Sequence, residues 1–220
     1  MKSVITYFAV IGLSLTLFCS PSQTPEEAMF SAIRANTPKA VKKAPNAVAK
    51  ALNSGAEIES DAGYQGQTPL LTAARLGRLE VVKLLINRGA YIHAVDDLGQ
   101  NALILAVQDT NNLPSAASEI PEGMFAPSRD RLEIAKSLII RGVNVNAKSD
   151  DGTTALIAAA GLADPRLVSF LIQSGANVNH QNKDGYTALL SAVERMRPQV
   201  IELLLSKGAR TDHRTRNGRT

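Results

Sequence analysis

The chain has 220 residues, with 24 Lys and Arg against 20 Asp and Glu, three histidines and one cysteine. A net charge of +4 excludes a strongly basic chain despite a pI near 9.3, and a single cysteine excludes any internal disulfide.

At the start, Met1-Lys2 precedes a charge-free run from Val4 to Phe18 and then Cys19-Ser20-Pro21-Ser22. A basic start, a short apolar run and a small polar region are the marks of a secretory signal, and the run is shorter than the ~20 residues of a spanning helix. Residues 1–19 are therefore expected to be a signal peptide that directs the chain to the periplasm or outer envelope. Leu15-Thr16-Leu17-Phe18-Cys19 resembles the lipidation signal of bacterial lipoproteins, with Phe18 where a small residue is usual. Three readings stand side by side: lipidation at Cys19, cleavage to a soluble exported chain, and an uncleaved anchor.

Residues 20–62 read as a linker and an N-terminal helical cap. Thr24 with Glu27 three residues on forms a capping-box pattern, so a helix is predicted from there. Thr37-Pro38 starts a second helix, predicted to be interrupted at Pro45 and to end at Gly55, with lysines suited to an outer face.

From here the glycines set the organisation. Gly66 to Gly99, Gly152 to Gly185 and Gly185 to Gly218 are each 33 residues, and Gly55, Gly89, Gly142, Gly175 and Gly208 are spaced by 34, 53, 33 and 33. A period near 33 marks units that cannot bury their own apolar face and must stack on neighbours. In the clearest unit Thr68 caps a helix, Pro69 takes its first position, Leu70, Ala73 and Ala74 form its apolar face, and Gly77 ends it. Leu79, Val81, Val82, Leu84, Leu85 and Ile86 make a second helix that Gly89 terminates in the left-handed conformation. The pattern recurs from Asn101, Thr154 and Thr187, giving repeats at 63–95, 96–148, 149–181 and 182–214, with 215–220 opening a further one. Extended stretches and polar turns between the pairs, such as Asn182-Lys183-Asp184-Gly185, read as protruding hairpins.

Two irregularities stand out. The second repeat carries an insertion at about 110–130, where Pro114, Pro121, Gly123 and Pro127 argue against a long regular element. It is read either as a tolerated surface loop or as a segment whose Ile120, Met124 and Phe125 dock on a neighbouring repeat or a partner. In the last repeat, Leu189, Val193, Ile201 and Leu205 look like those of an internal unit. That implies either a fragment or an apolar face covered by a partner chain, including self-association through the C-terminal repeat face.

The string Gln67-Thr68-Pro69-Leu70-Leu71-Thr72-Ala73-Ala74, its counterparts from Asn101, Thr154 and Thr187, and the Gly-Ala-x-Val-Asn stretch at Gly175–Asn179 resemble the ankyrin repeat family. The resemblance covers about Gly63 to Arg214. It departs where the family's histidine is Leu71, Ile104, Ile157 and Leu190, replacing a hydrogen-bonding imidazole by apolar packing. The resemblance implies an all-α solenoid of stacked helix-turn-helix pairs joined by β-hairpin loops, with partners meeting the hairpin tips and the exposed side of the first helices. Carried onto this chain, the partner surface would comprise Tyr64, Gln65, Gln67 and Arg75 in the first full repeat and Asp97, Leu98, Gln100 and Gln108 in the second. Asp150, Asp151 and Thr153 follow, then Lys183, Asp184, Tyr186, Glu194, Arg195 and Arg214.

Catalysis finds no constellation. His93, His180 and His213 fall in different repeats, a helix diameter of ~10 Å apart, which excludes shared ligation of a metal at ~2 Å. Phosphate-loop, zincin and nucleophile-elbow patterns are absent, and the repeat period accounts for the glycines. Asp96-Asp97 and Asp150-Asp151 lie where turn formation explains acids. Toward the end, Arg195, Arg197, Lys207, Arg210, Arg214, Arg216 and Arg219 outnumber Glu194, Glu202 and Asp212, a patch suited to an acidic partner or anionic headgroups. The expectation is a non-enzymatic protein-binding scaffold of the cell envelope without cofactor, metal or nucleic-acid partner. The alternatives are an accessory or inhibitor of one envelope enzyme, and a secreted effector that binds host proteins.

Overall fold

The structure, a computed structural model, describes residues 24–35, 37–61, 63–108, 128–162, 164–216 and 218. The expected signal, Cys19, and the insertion with Ile120, Met124 and Phe125 lie outside the described residues, apart from α6 starting at Ser128.

Helices come in antiparallel pairs: α1 (Pro25–Ile33) with α2 (Pro38–Asn53), α3 (Pro69–Arg75) with α4 (Leu79–Asn87), and α5 (Ala102–Val107) with α6 (Ser128–Ile140). Then come α7 (Ala155–Ala160) with α8 (Pro165–Gln173), and α9 (Ala188–Glu194) with α10 (Pro198–Ser206). The odd-numbered helices pack side by side in one layer and the even-numbered ones in a second. Each first helix is started by the predicted residue. Thr68, Asn101, Thr154 and Thr187 accept the amide of the third helical residue, which is Leu71, Ile104, Ile157 or Leu190. Leu71 and Ile104 are 0% and 1% exposed, so the positions of the family's histidine have become core in these two repeats.

The short first helices cannot bury their faces alone, and stacking supplies the rest. Leu103, Ile104, Leu105, Leu138, Leu156, Leu167, Leu171 and Leu204 join Leu70, Leu71 and Leu85 in one continuous core. That core reaches Met29, Phe30 and Ile33 of α1 and Ala44, Val48 and Ala51 of α2. The first pair therefore stacks as a repeat does. The capping box of Thr24 and Glu27 forms as expected. Pro45, however, does not interrupt α2, which runs through it. Burial of Ala44, Val48 and Ala51 on both sides holds the helix across the one lost amide bond.

A second device uses arginines at one position of the period, Arg78 and Arg131 buried and Arg197 half-buried. Arg78 donates from Nε to the Ile33 carbonyl at 3.3 Å and from its terminal amine to the Ala35 carbonyl at 2.5 Å. Arg131 donates to the carbonyls of Ala106 at 2.8 Å and Gln108 at 3.0 Å, and Arg197 to that of Gly161 at 3.0 Å. In each case a guanidinium satisfies carbonyls at a helix C-terminus, where the helix dipole favours a cation.

The hairpins are slighter than expected. Among the described residues the extended arms form only two isolated bridges, Val95 with Asn101 and Lys148 with Thr154, and no strand. Across the hairpins the amides of Asp96, Ser149 and Asn182 donate to the carbonyls of Gln100, Thr153 and Tyr186 at 3.0 Å, while amides at the tips pair with the neighbouring repeat.

Candidate protein-binding surface

The tips form a ladder along the array. The amide of Asp97 donates to the Gln65 carbonyl at 3.1 Å, that of Asp150 to Leu98 at 2.9 Å, that of Lys183 to Asp151 at 2.9 Å and that of Arg216 to Asp184 at 2.9 Å. Within each tip a short side chain holds the turn. Asp96 Oδ1 accepts the amides of Leu98 and Gln100 at 3.0 and 2.9 Å, and Asn182 Oδ1 those of Asp184 and Tyr186 at 3.1 and 2.9 Å.

Of the residues expected on the partner surface, Asp97, Leu98, Asp150, Asp151, Lys183, Asp184, Glu194 and Arg214 are exposed. Gln65, Arg75, Gln100, Gln108, Thr153, Tyr186 and Arg195 are half-buried, and Tyr64 sits in the short helical turn Tyr64–Gly66. Gln67 is a correction: it is 1% exposed, and its side-chain amide donates to Asp96 Oδ2 at 3.1 Å. It buttresses the next tip from inside, because the position lies on the cap side of α3, where the neighbouring repeat covers it.

Two pairs of the expected residues are brought together in a way the sequence did not suggest. Gln108 Nε2 donates to Gln100 Oε1 at 2.6 Å, and Tyr186 Oη donates to Glu194 Oε1 at 3.1 Å. These pairs occupy the same positions in different repeats and brace the hairpin against the end of the first helix. The surface is thereby ordered before any partner arrives, which lowers the entropy lost on binding.

The basic C-terminal patch is partly consumed internally. Arg210 makes a bidentate pair with Asp212, Arg216 lies 3.8 Å from Asp184, and Arg197 is tied to Gly161. Arg219 lies outside the described residues. The apolar C-terminal face is also smaller than expected. Leu189 is 7% exposed and Ile201 half-buried, whereas Val193 and Leu205 are 48% and 45% exposed. Among the described residues no three His, Cys, Asp or Glu side chains could together hold a metal ion. His180 is placed against the Gly152 carbonyl at 2.9 Å, a contact between repeats. No helix among those residues is long and apolar enough to cross a membrane.

Asp151 has a heavily bonded carboxylate at the tips. Partial burial alone would raise its pKa, but the hydroxyl of Ser149 at 2.5 Å, the amide of Thr153 at 3.0 Å and its hydroxyl at 2.9 Å outweigh that and hold it below its ordinary 3.8. A depressed carboxylate contributes stability above its unfolded pKa, which is lost as pH falls from there through the folded value. The melting-temperature gap between the parent and Asp151→Asn is therefore expected to be constant above about pH 5 and to close below about pH 3.8. A gap independent of pH down to acid unfolding would show that the bonds are not selective for the carboxylate.

Comparison with known proteins supplies the last observation. A family model described as ankyrin repeats, in three copies, matches residues 38–117 and 124–215. The chain is 32% identical over 122 residues to the neurogenic locus Notch protein of Drosophila melanogaster, covering 55% of this chain and 4% of that protein. It is 33% identical over 111 residues to the B-cell lymphoma 3 protein homolog of Mus musculus, covering 50% and 20%. It is 26% identical over 136 residues to an L-asparaginase of Dirofilaria immitis, covering 56% and 23%. The chain thus spans less than a quarter of the length of each of these relatives.

Proposed function

Because the chain belongs to the ankyrin repeat family, we propose that it is a non-enzymatic scaffold that binds a partner protein in the cell envelope through its hairpin tips and the adjoining ends of the first helices. Ankyrin repeats are protein–protein interaction modules. The observation that carries the reading is the tip ladder with its Gln100–Gln108 and Tyr186–Glu194 braces, which fixes polar and aromatic groups in one ordered row. Such a row offers contact area that needs little further ordering. Support for the envelope comes from the sequence, where Lys2, the apolar run Val4–Phe18 and Cys19 have the order of an export signal.

The test is in two arms. A crosslinking pulldown from envelope extracts is expected to capture a protein with the parent chain and several-fold less with the Lys183→Glu, Tyr186→Ala double variant, at unchanged helical content. Equal capture by both, or loss of folding in the variant, would remove these residues from the surface. Labelled fatty acid is expected to enter the parent but not Cys19→Ala. Incorporation into neither would leave cleaved export or an uncleaved anchor as the route. Co-purification of one stoichiometric enzyme would instead favour the accessory or inhibitor reading.

A further inference from the structure

One hairpin departs from the others. A turn follows α2, α4, α6 and α8, closed by the amide of Ser60 on the Glu57 carbonyl at 3.2 Å, Ala94 on Tyr91 at 3.3 Å, Ala147 on Asn144 at 3.1 Å and His180 on Asn177 at 3.4 Å. These bonds fix the register, so Tyr91, His93 and Val95 stand where the next two repeats have Asn144, Asn146 and Lys148, then Asn177, Asn179 and Gln181.

The polar residues at these positions hold the array together. Asn146 donates to the Gly175 carbonyl at 2.9 Å and accepts the Asn177 amide at 2.8 Å, and Asn179 does the same with Gly208 and Arg210 at 3.1 and 2.8 Å. At the corresponding place the His93 ring lies edge-on to Tyr91, with centroids 5.6 Å apart at 68°. Tyr91 is 59% exposed, Val95 55% and Leu98, on the tip of the same hairpin, 43%. Apolar groups left in water stabilise the fold little, so an aromatic and aliphatic stripe in place of a clamping asparagine is a local rule broken without a folding gain. Breaks of that kind concentrate at functional sites.

Charge selects the occupant. The preceding turn presents exposed Glu57, Glu59 and Asp61, and Glu59 Oε1 accepts the Tyr91 amide at 2.6 Å, which places this acidic stretch directly against the stripe. On the other side lies exposed Asp97, and Lys148 of the following turn bounds the acidic region.

We propose that this hairpin is the docking site for an extended segment of a partner protein that carries lysine or arginine beside apolar residues. The cation sits over the Tyr91 ring among the carboxylates, and its apolar neighbours cover Val95 and Leu98. An aromatic face with nearby carboxylates attracts a cation more than either does alone. The inference rests on the scaffold reading above and gives the chemistry of one contact.

The experiment pans a phage-displayed library of random peptides on the full chain, then measures binding of the enriched peptides to variants. Enriched peptides are expected to carry Lys or Arg next to an aliphatic or aromatic residue. Tyr91→Ala should weaken them about tenfold and Tyr91→Phe by no more than about twofold, since the ring face is what binds. Asp61→Asn with Glu57→Gln should weaken them about threefold and reduce the salt dependence. Melting should be unchanged in all of these. Peptides without basic residues, equal binding by Tyr91→Ala, or no enrichment would each overturn the proposal. Peptides lost with Lys183→Glu, Tyr186→Ala but kept by Tyr91→Ala would sink this site and leave the scaffold reading standing, whereas failure of both panning and pulldown would sink both.

Discussion

Arg78→Ala is expected to release the first helical pair from the rest of the array and to lower stability by about 2–4 kcal/mol. Arg78 is 8% exposed, and its guanidinium is the donor to the carbonyls of Ile33 and Ala35 at the end of α1. Burial lowers its pKa from the ordinary arginine value, but the side chain stays charged at neutral pH, so the pairing also opposes the negative end of the α1 dipole. Truncation would leave these carbonyls without their donor and open a void beside Ile33. Lysine should restore less than half of the loss, because a point ammonium cannot reproduce the two-pronged geometry. Urea unfolding followed by circular dichroism should show a new low-urea phase in Arg78→Ala, from α1 and α2 melting ahead of α3 to α10. Arg210→Ala is the control: that side chain is exposed and, among the described residues, bonded only to Asp212, so its curve should overlay the parent's. If Arg78→Ala also overlays the parent, the buried fork is not what joins the first pair to the stack.

The role of Arg78 marks the limit of what could be read from the sequence. The glycine period, the capping residues Thr68, Asn101, Thr154 and Thr187, and the apolar second helices are local or periodic signals, and each appears in the structure where expected. Arg78, Arg131 and Arg197 lie at one position of that period once the insertion is allowed for, so their common role was visible in principle. It went unread because a charged residue at a turn is ordinarily solvated, and only the stacked neighbour makes it buried. Gln67 was misplaced for the same reason: its partner Asp96 is in the next repeat. Pro45 misled in the opposite direction, since the helix rule treats the segment as isolated while Ala44, Val48 and Ala51 are held by the core. Tyr91, His93 and Val95 were missed as surface residues because the family pattern directs attention to the tips. Aligning the repeats on Gly55, Gly89, Gly142 and Gly175 would have exposed the substitution of an aromatic stripe for asparagines.

Gly185→Ala and Gly208→Ala should differ, although their backbones are alike. Gly185 has φ +84° and Gly208 φ +82°, so an added methyl meets the same left-handed strain at both, about 1 kcal/mol. Around Gly208 a Cβ would meet nothing within 4 Å, whereas at Gly185 it would stand 2.6 Å from the Arg214 carbonyl oxygen and 2.9 Å from Thr215 Cα. Both obstacles are backbone, held there by the Arg216 amide on the Asp184 carbonyl at 2.9 Å and by burial of Thr215 at 6% exposure. The tip must therefore move away or the ladder bond must break, giving a total cost of about 2–4 kcal/mol for Gly185→Ala. Gly152, whose Cβ would lie 3.2 Å from the Lys183 nitrogen, should fall between the two. Urea midpoints of the three variants measure the series, and faster exchange of the Arg216 amide in Gly185→Ala would place the damage at the ladder. Equal midpoints for Gly185→Ala and Gly208→Ala would mean that the tips are not close-packed in solution, and the ordered row on which the binding proposal depends would go with them.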